Sequence, residues 1–136
     1  TRLVEMGVEP FLVTSSIECV LAQRLARRLC EECKEEYTPS RQLLLDAGFS
    51  PDDLPEKLWK AVGCRKCGGT GYRGRMGLHE VMRMTEEVSH LVVSGGTAED
   101  IRRVAIDQGM LTLRRDGLEK CRLGLTSVEE VARVVV

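Results

Sequence analysis

The amino-acid sequence predicts an α+β fold that is mostly helical: a small orthogonal helix bundle with a short β hairpin or strand pair and an inserted tetracysteine module. Three observations lead to this prediction. Two Cys-x-x-Cys pairs, Cys30/Cys33 and Cys64/Cys67, stand thirty residues apart. A glycine-rich stretch leads into an apolar segment that is typical of a strand. Four short segments with helical periodicity then follow, from residue 85 onwards.

Composition restricts the kinds of protein that the chain can be. Its 136 residues suffice for one domain, or for one core with a small appended module. Hydrophobic residues make up 43% and aromatic residues only 4%, so the core must be aliphatic. The charges sum to −1, which leaves no global field to attract nucleic acid or anionic lipid. Six cysteines without a secretion signal indicate a reducing, cytoplasmic compartment.

The first 29 residues are predicted to form helices followed by a strand. A short apolar face ends at Gly7, and Pro10 suits the first position of a second helix, which we expect to continue to about residue 22. Residues 23–30 fit either a helix or a strand, and we favour a strand. Because the chain begins with Thr1 in what reads as a helix already under way, we expect a fragment of a longer protein.

The residues between the cysteine pairs predict two short helices. Ser40 can cap the first, and Gly48 can close it. Leu58, Trp59 and Val62 indicate the second. Aromatic platforms for nucleic-acid bases usually come in groups, so we expect the lone Trp59 to pack the two helices together.

Capping signals define the four C-terminal helices. Thr85 precedes the first, and residues 97–100 resemble a capping box for the second. The third is expected to end near Gly124, and residues 126–129 form a full capping box for the fourth. Four short amphipathic helices in succession predict the orthogonal bundle.

The cysteine spacing predicts one structural zinc ion. Each pair places two thiolates on a tight turn, and two such turns facing each other supply a tetrahedral site with the ligands Cys30, Cys33, Cys64 and Cys67. Two unrelated redox motifs are the alternative interpretation. Four thiolates saturate zinc and leave no open position for water, so the predicted site is structural and not catalytic.

The predicted zinc site has consequences for its surroundings. Its formal charge of −2 is expected to be offset by four flanking basic residues, which are Arg28, Lys34, Arg65 and Lys66. The insert contributes little core of its own, so metal binding should supply on the order of 10 kcal/mol of its folding free energy. Replacing one ligand should therefore unfold the insert, and not necessarily the bundle.

The other reactive side chains have plainer interpretations. Cys19 and Cys121 fall on apolar helical faces and are predicted to be buried thiols. His79 beside Glu80 could be catalytic, but a lone histidine in a strand is more often structural. No glycine is followed by lysine, so the chain lacks the phosphate-binding loop of P-loop nucleotidases.

Five stretches of the sequence together carry a family resemblance: residues 1–13, 21–33, 64–80, 109–117 and 124–131. They closely resemble the C-terminal part of the secretion ATPases, the hexameric motor proteins of type II secretion and type IV pilus assembly. The stretches are spread over nearly the whole length of the chain, in the family's order. Only the region between the cysteine pairs is uninformative.

The resemblance implies a motor subunit in which ATP hydrolysis drives domain rotation within a homo-hexamer. That motion is thought to turn an inner-membrane platform protein, which adds pilin-like subunits to a filament. The family's nucleotide-binding boxes would precede residue 1, so ATP and Mg²⁺ would be bound only in the parent protein. The chain itself is expected to bind Zn²⁺ without hydrolysing ATP, in the cytoplasm and peripheral to the inner membrane through its partners.

The resemblance also suggests a division of the chain and four further site residues. Residues 1–29 would be the tail of the ATPase domain, 30–67 the zinc-binding insert, and 68–136 a glycine-rich turn, strand and helical bundle. The basic residues that are candidates to face the nucleotide or a neighbouring subunit are Arg24, Arg27, Arg73 and Arg75. The alternative for each is a solvated arginine on a strand edge. Secretion, pilus extension and DNA uptake all remain open, because these motors share the same C-terminal motifs.

Two other classes fit parts of the sequence. The unit Cys64-x-x-Cys67-x-Gly69-x-Gly71 also occurs in the zinc domain of J-domain chaperones, but the first cysteine pair has no following glycine pair. A zinc-ribbon nucleic-acid binder would need a basic face with interleaved aromatic residues. The first cysteine pair is instead surrounded by Glu31, Glu32, Glu35 and Glu36, so no nucleic-acid partner is expected.

Overall fold

The computed structural model describes residues 2–136, and seven α-helices and four β-strands lie within them. In chain order they are α1 (Arg2–Glu5), α2 (Pro10–Ser16), β1 (Cys19–Leu29), β2 (Glu35–Tyr37), α3 (Arg41–Ala47), β3 (Leu58–Lys60), β4 (Tyr72–Arg83), α4 (Glu86–Val93), α5 (Ala98–Asp107), α6 (Leu113–Arg122) and α7 (Val128–Val134). The predicted α+β class, mostly helical, is confirmed. None of the helices in residues 2–136 has the length and apolar character that a membrane span requires.

The described chain forms two compact units. The first contains the residues up to Ala22 together with Glu80–Thr112, and the second contains Gln23–His79 and Leu113–Val136. Both cysteine pairs belong to the second unit. The predicted segments 1–29, 30–67 and 68–136 follow other bounds and stay a prediction, and Thr1 lies outside the described residues.

The first unit is mainly helical. Helix α2 packs against α1 and α4, and α4 packs against α5. The caps of α4 and α5 are as predicted: Thr85 Oγ1 accepts a hydrogen bond from the Val88 N–H, and Thr97 and Asp100 form a reciprocal capping box. Val88 is fully buried, so the cap fixes the first turn of a helix whose apolar face is in the core.

Helix α2 ends earlier than the sequence indicates. It begins at Pro10 as predicted but ends at Ser16, and β1 begins at Cys19, so the helix predicted to about residue 22 is wrong. The apolar run through Val20 and Leu21 is compatible with a helix or a strand. It forms a strand because β1 pairs with β4. Cys19 is consequently exposed on a strand, whereas a buried thiol on a helical face was predicted.

Strands β1 and β4 form the predicted strand pair. Near one end the Met84 N–H donates to the Glu18 carbonyl (2.8 Å), and near the other the Cys30 N–H donates to the Gly71 carbonyl (2.9 Å). The strands therefore run antiparallel. The preference for a strand over residues 23–29 is confirmed. The ladder brings the start of the first cysteine-bearing segment next to the end of the second.

The core of the second unit combines the insert with the C-terminal helices. Helix α3, the turn after it and strand β3 supply half of the cluster, and α6 and α7 supply the rest. The buried members are Leu44, Phe49, Leu58, Leu118, Cys121 and Val131. The insert therefore has no core separate from that of the helices, because its three buried side chains pack with theirs.

The insert contains one helix where two were predicted. Helix α3 has the predicted ends: Ser40 Oγ accepts from the Leu43 N–H, and Gly48 adopts a left-handed conformation with φ of +109°. The second predicted helix is instead β3, which pairs with β2 in antiparallel register. Trp59 lies in this strand opposite Glu36, not between two helices. A segment of three residues is too short to show whether its hydrophobic period is that of a helix or of a strand. Residues 58–60 form a strand because they pair with β2.

The four C-terminal helices divide between the units, with α4 and α5 in the first and α6 packed against α7 in the second. Cys121 of α6 is buried as predicted, and burial raises the pKa of its thiol to about 12. The cap of α7 is Ser127, one residue later than predicted. Thr126 does not cap because its hydroxyl donates to the Arg27 carbonyl (2.9 Å).

A buried carboxylate joins α7 to β1. The side chain of Glu130 has no exposed surface, and its oxygens accept hydrogen bonds from the Arg27 backbone N–H (2.9 Å), the Arg27 guanidinium (2.8 Å) and Arg133 Nε (3.0 Å). Burial alone would raise the pKa of Glu130, but the bonds from Arg133 and Arg27 outweigh it and lower the pKa to about 2. Glu130 is therefore ionised in the folded protein.

Replacing Glu130 by Gln should destabilise the second unit by about 2 kcal/mol at pH 7, because two half-exposed arginines lose a buried charged partner. The folded pKa is lower than the ordinary value of 4.5, so this contribution is complete above about pH 4.5 and is lost as the pH falls towards about 2. Urea unfolding followed by the fluorescence of the single tryptophan, at pH 7 and at pH 3, measures it.

The matched control is Glu129→Gln, which changes the exposed neighbour on the same helix turn and should have little effect. The difference between wild type and E130Q should shrink between pH 7 and pH 3. An equal difference at both pH values would contradict the assignment of a low pKa to Glu130.

Candidate metal centre

The four cysteines of the two pairs meet at one point. Their sulfur atoms all lie within 4.8 Å of one another. Three of the separations are 3.8 Å (Cys30 to Cys64), 3.9 Å (Cys33 to Cys67) and 3.7 Å (Cys64 to Cys67). A disulfide would need about 2.05 Å. Four sulfurs placed tetrahedrally at about 2.3 Å from a zinc ion would lie about 3.8 Å apart, so the cluster has the dimensions of a four-thiolate metal site.

Two tight turns present the sulfurs. After β1 the chain turns so that the N–H groups of Cys33 and Lys34 donate to the Cys30 carbonyl (3.3 and 3.0 Å). The second pair lies on a 3₁₀ turn, Arg65–Cys67, which the Gly69 N–H closes by donating to the Cys64 carbonyl (2.9 Å). Each Cys-x-x-Cys pair thus forms the knuckle that its spacing predicts.

Backbone N–H groups point at two of the sulfurs. The Gly63 N–H donates to Cys33 Sγ (3.3 Å), and the N–H groups of Cys64 and Gly71 both donate to Cys67 Sγ (3.2 Å each). Such bonds stabilise a thiolate because they place partial positive charge beside it. They also hold the two sulfurs in a fixed orientation.

The backbone at Gly63 and Gly71 cannot carry a side chain. Both have positive φ, +114° and +80°. A Cβ at Gly63 would lie 2.6 Å from the Gly69 carbonyl oxygen, and one at Gly71 would lie 2.6 Å from the Ala61 Cβ. Sequence reasoning included Gly71 in a glycine-rich turn but missed Gly63, whose position directly before Cys64 was the available signal.

The thiols of the cluster differ in acidity. Burial alone would raise the pKa of Cys67, but the N–H groups of Cys64 and Gly71 help to lower that pKa to about 6. Burial is the main reason that the pKa of Cys33 rises to about 11. Cys67 therefore ionises more readily than Cys33, and several thiolates at this separation would repel one another. Four thiolates together require a cation among them, so this cluster can hold a metal ion.

The flanking basic residues have other partners besides the cluster. Lys34 Nζ pairs with Glu31 (2.9 Å) and donates to the Gly124 carbonyl (3.0 Å), while Lys66 Nζ pairs with Glu32 (2.9 Å). Both lysines thus have a glutamate partner on the first cysteine turn. The predicted compensation of the site's charge by the flanking basic residues stays a prediction.

The four arginines named from the sequence lie on β1 and β4. Arg27 is bound to Glu130, and its guanidinium also lies over the Tyr72 ring, 4.2 Å from the ring centroid. The other three, Arg24, Arg73 and Arg75, are exposed. Their roles towards a nucleotide or a neighbouring subunit stay predictions.

His79, the remaining candidate, is exposed on β4, and its backbone N–H donates to Asp116 Oδ2 (2.8 Å). Asp116 in turn pairs with Lys120 (2.7 Å), which also donates to the Gly77 carbonyl (2.8 Å). These contacts join β4 to α6. Sequence reasoning did not identify Asp116, Lys120 or Glu130, because each acts on a partner far away in the chain.

Comparison with known proteins identifies the family. A family model described as type II/IV secretion system protein matches residues 1–133. The type IV pilus assembly ATPases PilB of Thermus thermophilus and Myxococcus xanthus are each 46% identical over 96% of this chain, which corresponds to 15% and 24% of their own lengths. The type II secretion system ATPase E of Vibrio cholerae is 44% identical over 98% of this chain and 26% of its own length.

The chain therefore spans about a quarter or less of these relatives. The range that the family model matches contains both cysteine pairs. The resemblance inferred from the sequence is confirmed: the chain belongs to the family of type II/IV secretion system proteins.

Proposed function

We propose that the chain is the zinc-binding C-terminal portion of a motor ATPase that powers protein secretion or pilus extension. The observation that carries the proposal is the cluster of four sulfurs at tetrahedral spacing in a chain of this family. The ligands would be the sulfurs of Cys30, Cys33, Cys64 and Cys67. Zn²⁺ suits them because thiolates bind this ion at about 2.3 Å and four of them fill its coordination sphere.

In this proposal the zinc site holds the fold together and does no chemistry. A closed four-thiolate site has no position for water or substrate. Its effect is to join the turn after β1 to the 3₁₀ turn before β4. Because the insert shares a core with α6 and α7, metal binding stabilises the whole second unit and not the insert alone.

The motor activity belongs to the parent protein. ATP and Mg²⁺ would bind there, six parent subunits would form a homo-hexamer, and an inner-membrane platform protein would receive the motion. The names of the relatives support ATPase activity in the longer proteins. The present chain would act as a structural and docking element in the cytoplasm, held at the membrane through its partners.

The purified chain should contain about one zinc ion, and Cys67→Ser should reduce the zinc content to near zero because one thiolate of the closed set is lost. Chelation, or C67S, should also lower the urea midpoint of the Trp59 signal, since the core of β3, α6 and α7 depends on the site. Elemental analysis and tryptophan fluorescence measure the two effects.

The control is Cys19→Ser, which removes an exposed thiol outside the cluster and should leave zinc content and stability unchanged. Zinc bound at the same stoichiometry in C67S would contradict the proposed ligand set. If the insert lost its structure while the urea midpoint of α6 and α7 stayed unchanged, the proposal that these helices also depend on the metal site would be contradicted.

The chain by itself should release no phosphate from ATP above background, because its sequence has no Gly-Lys pair for a phosphate-binding loop. The parent protein, assayed under the same conditions, is the positive control. Turnover by the isolated chain at a rate comparable with the parent would overturn the assignment of hydrolysis to the rest of the protein.

In the parent protein, Arg24→Ala or Arg75→Ala should reduce ATP hydrolysis or hexamer assembly if these exposed side chains face the nucleotide or a neighbour. Steady-state hydrolysis and size-exclusion chromatography with light scattering measure both. Arg102→Ala, an exposed arginine on α5, is the control. If both R24A and R75A behave as wild type, the arginines are solvated strand residues and this part of the proposal fails.

A further inference from the structure

The turn between α6 and α7 consists of residues 124–127. Each of these residues forms a hydrogen bond with a residue close in sequence to one of the cysteine pairs. The Gly124 carbonyl accepts from Lys34 Nζ (3.0 Å), and the Leu125 carbonyl accepts from the Leu29 N–H (2.9 Å). The Thr126 hydroxyl donates to the Arg27 carbonyl (2.9 Å), and Ser127 Oγ is hydrogen-bonded to the Tyr72 hydroxyl (2.6 Å). We refer to residues 124–127 as the α6–α7 turn.

These partners stand next to metal ligands in the sequence. Leu29 directly precedes Cys30, and Lys34 directly follows Cys33. Tyr72 directly follows Gly71, whose N–H donates to Cys67 Sγ. The position of the α6–α7 turn is therefore set by the same backbone segments that set the positions of the sulfurs.

The Trp59 ring packs against the α6–α7 turn at Gly124. Gly124 has φ of +72°, and a Cβ added there would lie 3.1 Å from Trp59 Cδ2 and 3.3 Å from Lys34 Nζ. The ammonium group of Lys34 also lies 5.8 Å from the centroid of the Trp59 ring, in the range of a cation–π contact. Lys34 and Trp59 thus meet at Gly124, two residues after the end of α6.

Lys34 has a second partner besides the Gly124 carbonyl. Its Nζ lies 2.9 Å from Glu31 Oε2, within the first cysteine turn, and its side chain is only 18% exposed. In the folded cluster one ammonium serves both Glu31 and the Gly124 carbonyl. Without a metal ion, the two cysteine turns are joined by thiol contacts, by the Gly63 N–H bond to Cys33 Sγ and by the exposed Lys66–Glu32 ion pair. An exposed ion pair contributes at most about 1 kcal/mol, so these links restrain the first turn less than four metal–thiolate bonds would, and the turn can move with Lys34 still paired to Glu31.

We propose that the α6–α7 turn is a latch controlled by the metal site: occupancy of the cysteine cluster fixes the turn through Lys34 and Trp59, and loss of the metal releases it. The inference rests on the proposed zinc binding, and it extends that binding from a local cross-link to the junction between two helices. Lys34 is a positioning residue in this device, since it contacts the turn and not the metal.

The test is hydrogen–deuterium exchange of the chain, with zinc bound and after chelation, in wild type and in Lys34→Met. K34M keeps the length of the side chain but removes the donor. In zinc-loaded wild type the amides of Gly124 and Leu125, which donate to the Cys121 and Lys120 carbonyls, should be protected. Chelation should speed their exchange about tenfold, and zinc-loaded K34M should show a similar increase with its zinc retained.

The control Lys60→Met removes an exposed lysine from β3 and should leave exchange in the turn unchanged. A second variant, Gly124→Ala, perturbs the contact from the opposite side. It should change the emission of Trp59 and speed exchange in the turn while zinc stays bound.

The outcomes separate the two proposals. If wild type binds no zinc, the proposed metal site fails and the latch fails with it. If zinc is bound but K34M and G124A exchange in the turn as wild type does, the metal site stands and the latch alone is overturned. Loss of zinc from K34M would also contradict the latch, because it would make Lys34 a determinant of metal binding.

Discussion

The central constraint on the second unit is the close approach of four sulfur atoms, which all lie within 4.8 Å of one another. Four thiolates at this separation repel strongly, whereas four protonated thiols would leave the N–H groups of Gly63, Cys64 and Gly71 directed at weak acceptors. A cation resolves both conditions, because it removes the protons and cancels the repulsion. The arrangement of backbone donors is thus adapted to thiolates before any ligand is considered.

This requirement extends beyond the cysteines because of how the core is built. Leu44, Phe49 and Leu58 come from between the two pairs, yet they are buried with side chains of α6 and α7. The segment between the cysteine pairs therefore contributes apolar surface to helices sixty or more residues away in the sequence. The burial of each such side chain contributes about 1.5–3 kcal/mol, so the order of this segment and the stability of the helices are coupled through the shared core.

Local signals in the sequence sufficed for the cysteine turns and for most helix ends, because spacing and capping involve residues a few positions apart. The caps at Ser40, Thr85 and Thr97 show this. The predictions were wrong where a partner strand distant in the sequence determines the secondary structure. Residues 19–22 extend as a strand because β4 lies alongside, and residues 58–60 do so because of β2. The cysteine cluster was accessible from sequence, whereas its supporting N–H donors depend on the path of the backbone.

The cap of α7 illustrates the same limit. Thr126 and Ser127 are both good caps by residue type, and the choice between them is made by the Arg27 carbonyl, which engages the Thr126 hydroxyl. The choice matters for Glu130, because a cap at Ser127 places Glu130 in the first turn of α7, where its charge is also favoured by the helix dipole.

The Glu130 contacts distinguish Arg27 from the other three arginines. Its backbone N–H and its guanidinium both bind the same buried carboxylate. For Arg27 to turn towards a nucleotide or a neighbouring subunit, Glu130 would have to remain buried with Arg133 as its only guanidinium partner, and this costs free energy. No such cost applies to Arg24, Arg73 or Arg75, whose side chains are exposed. A role in intersubunit contacts is therefore more readily filled by these three, while Arg27 holds β1 against α7.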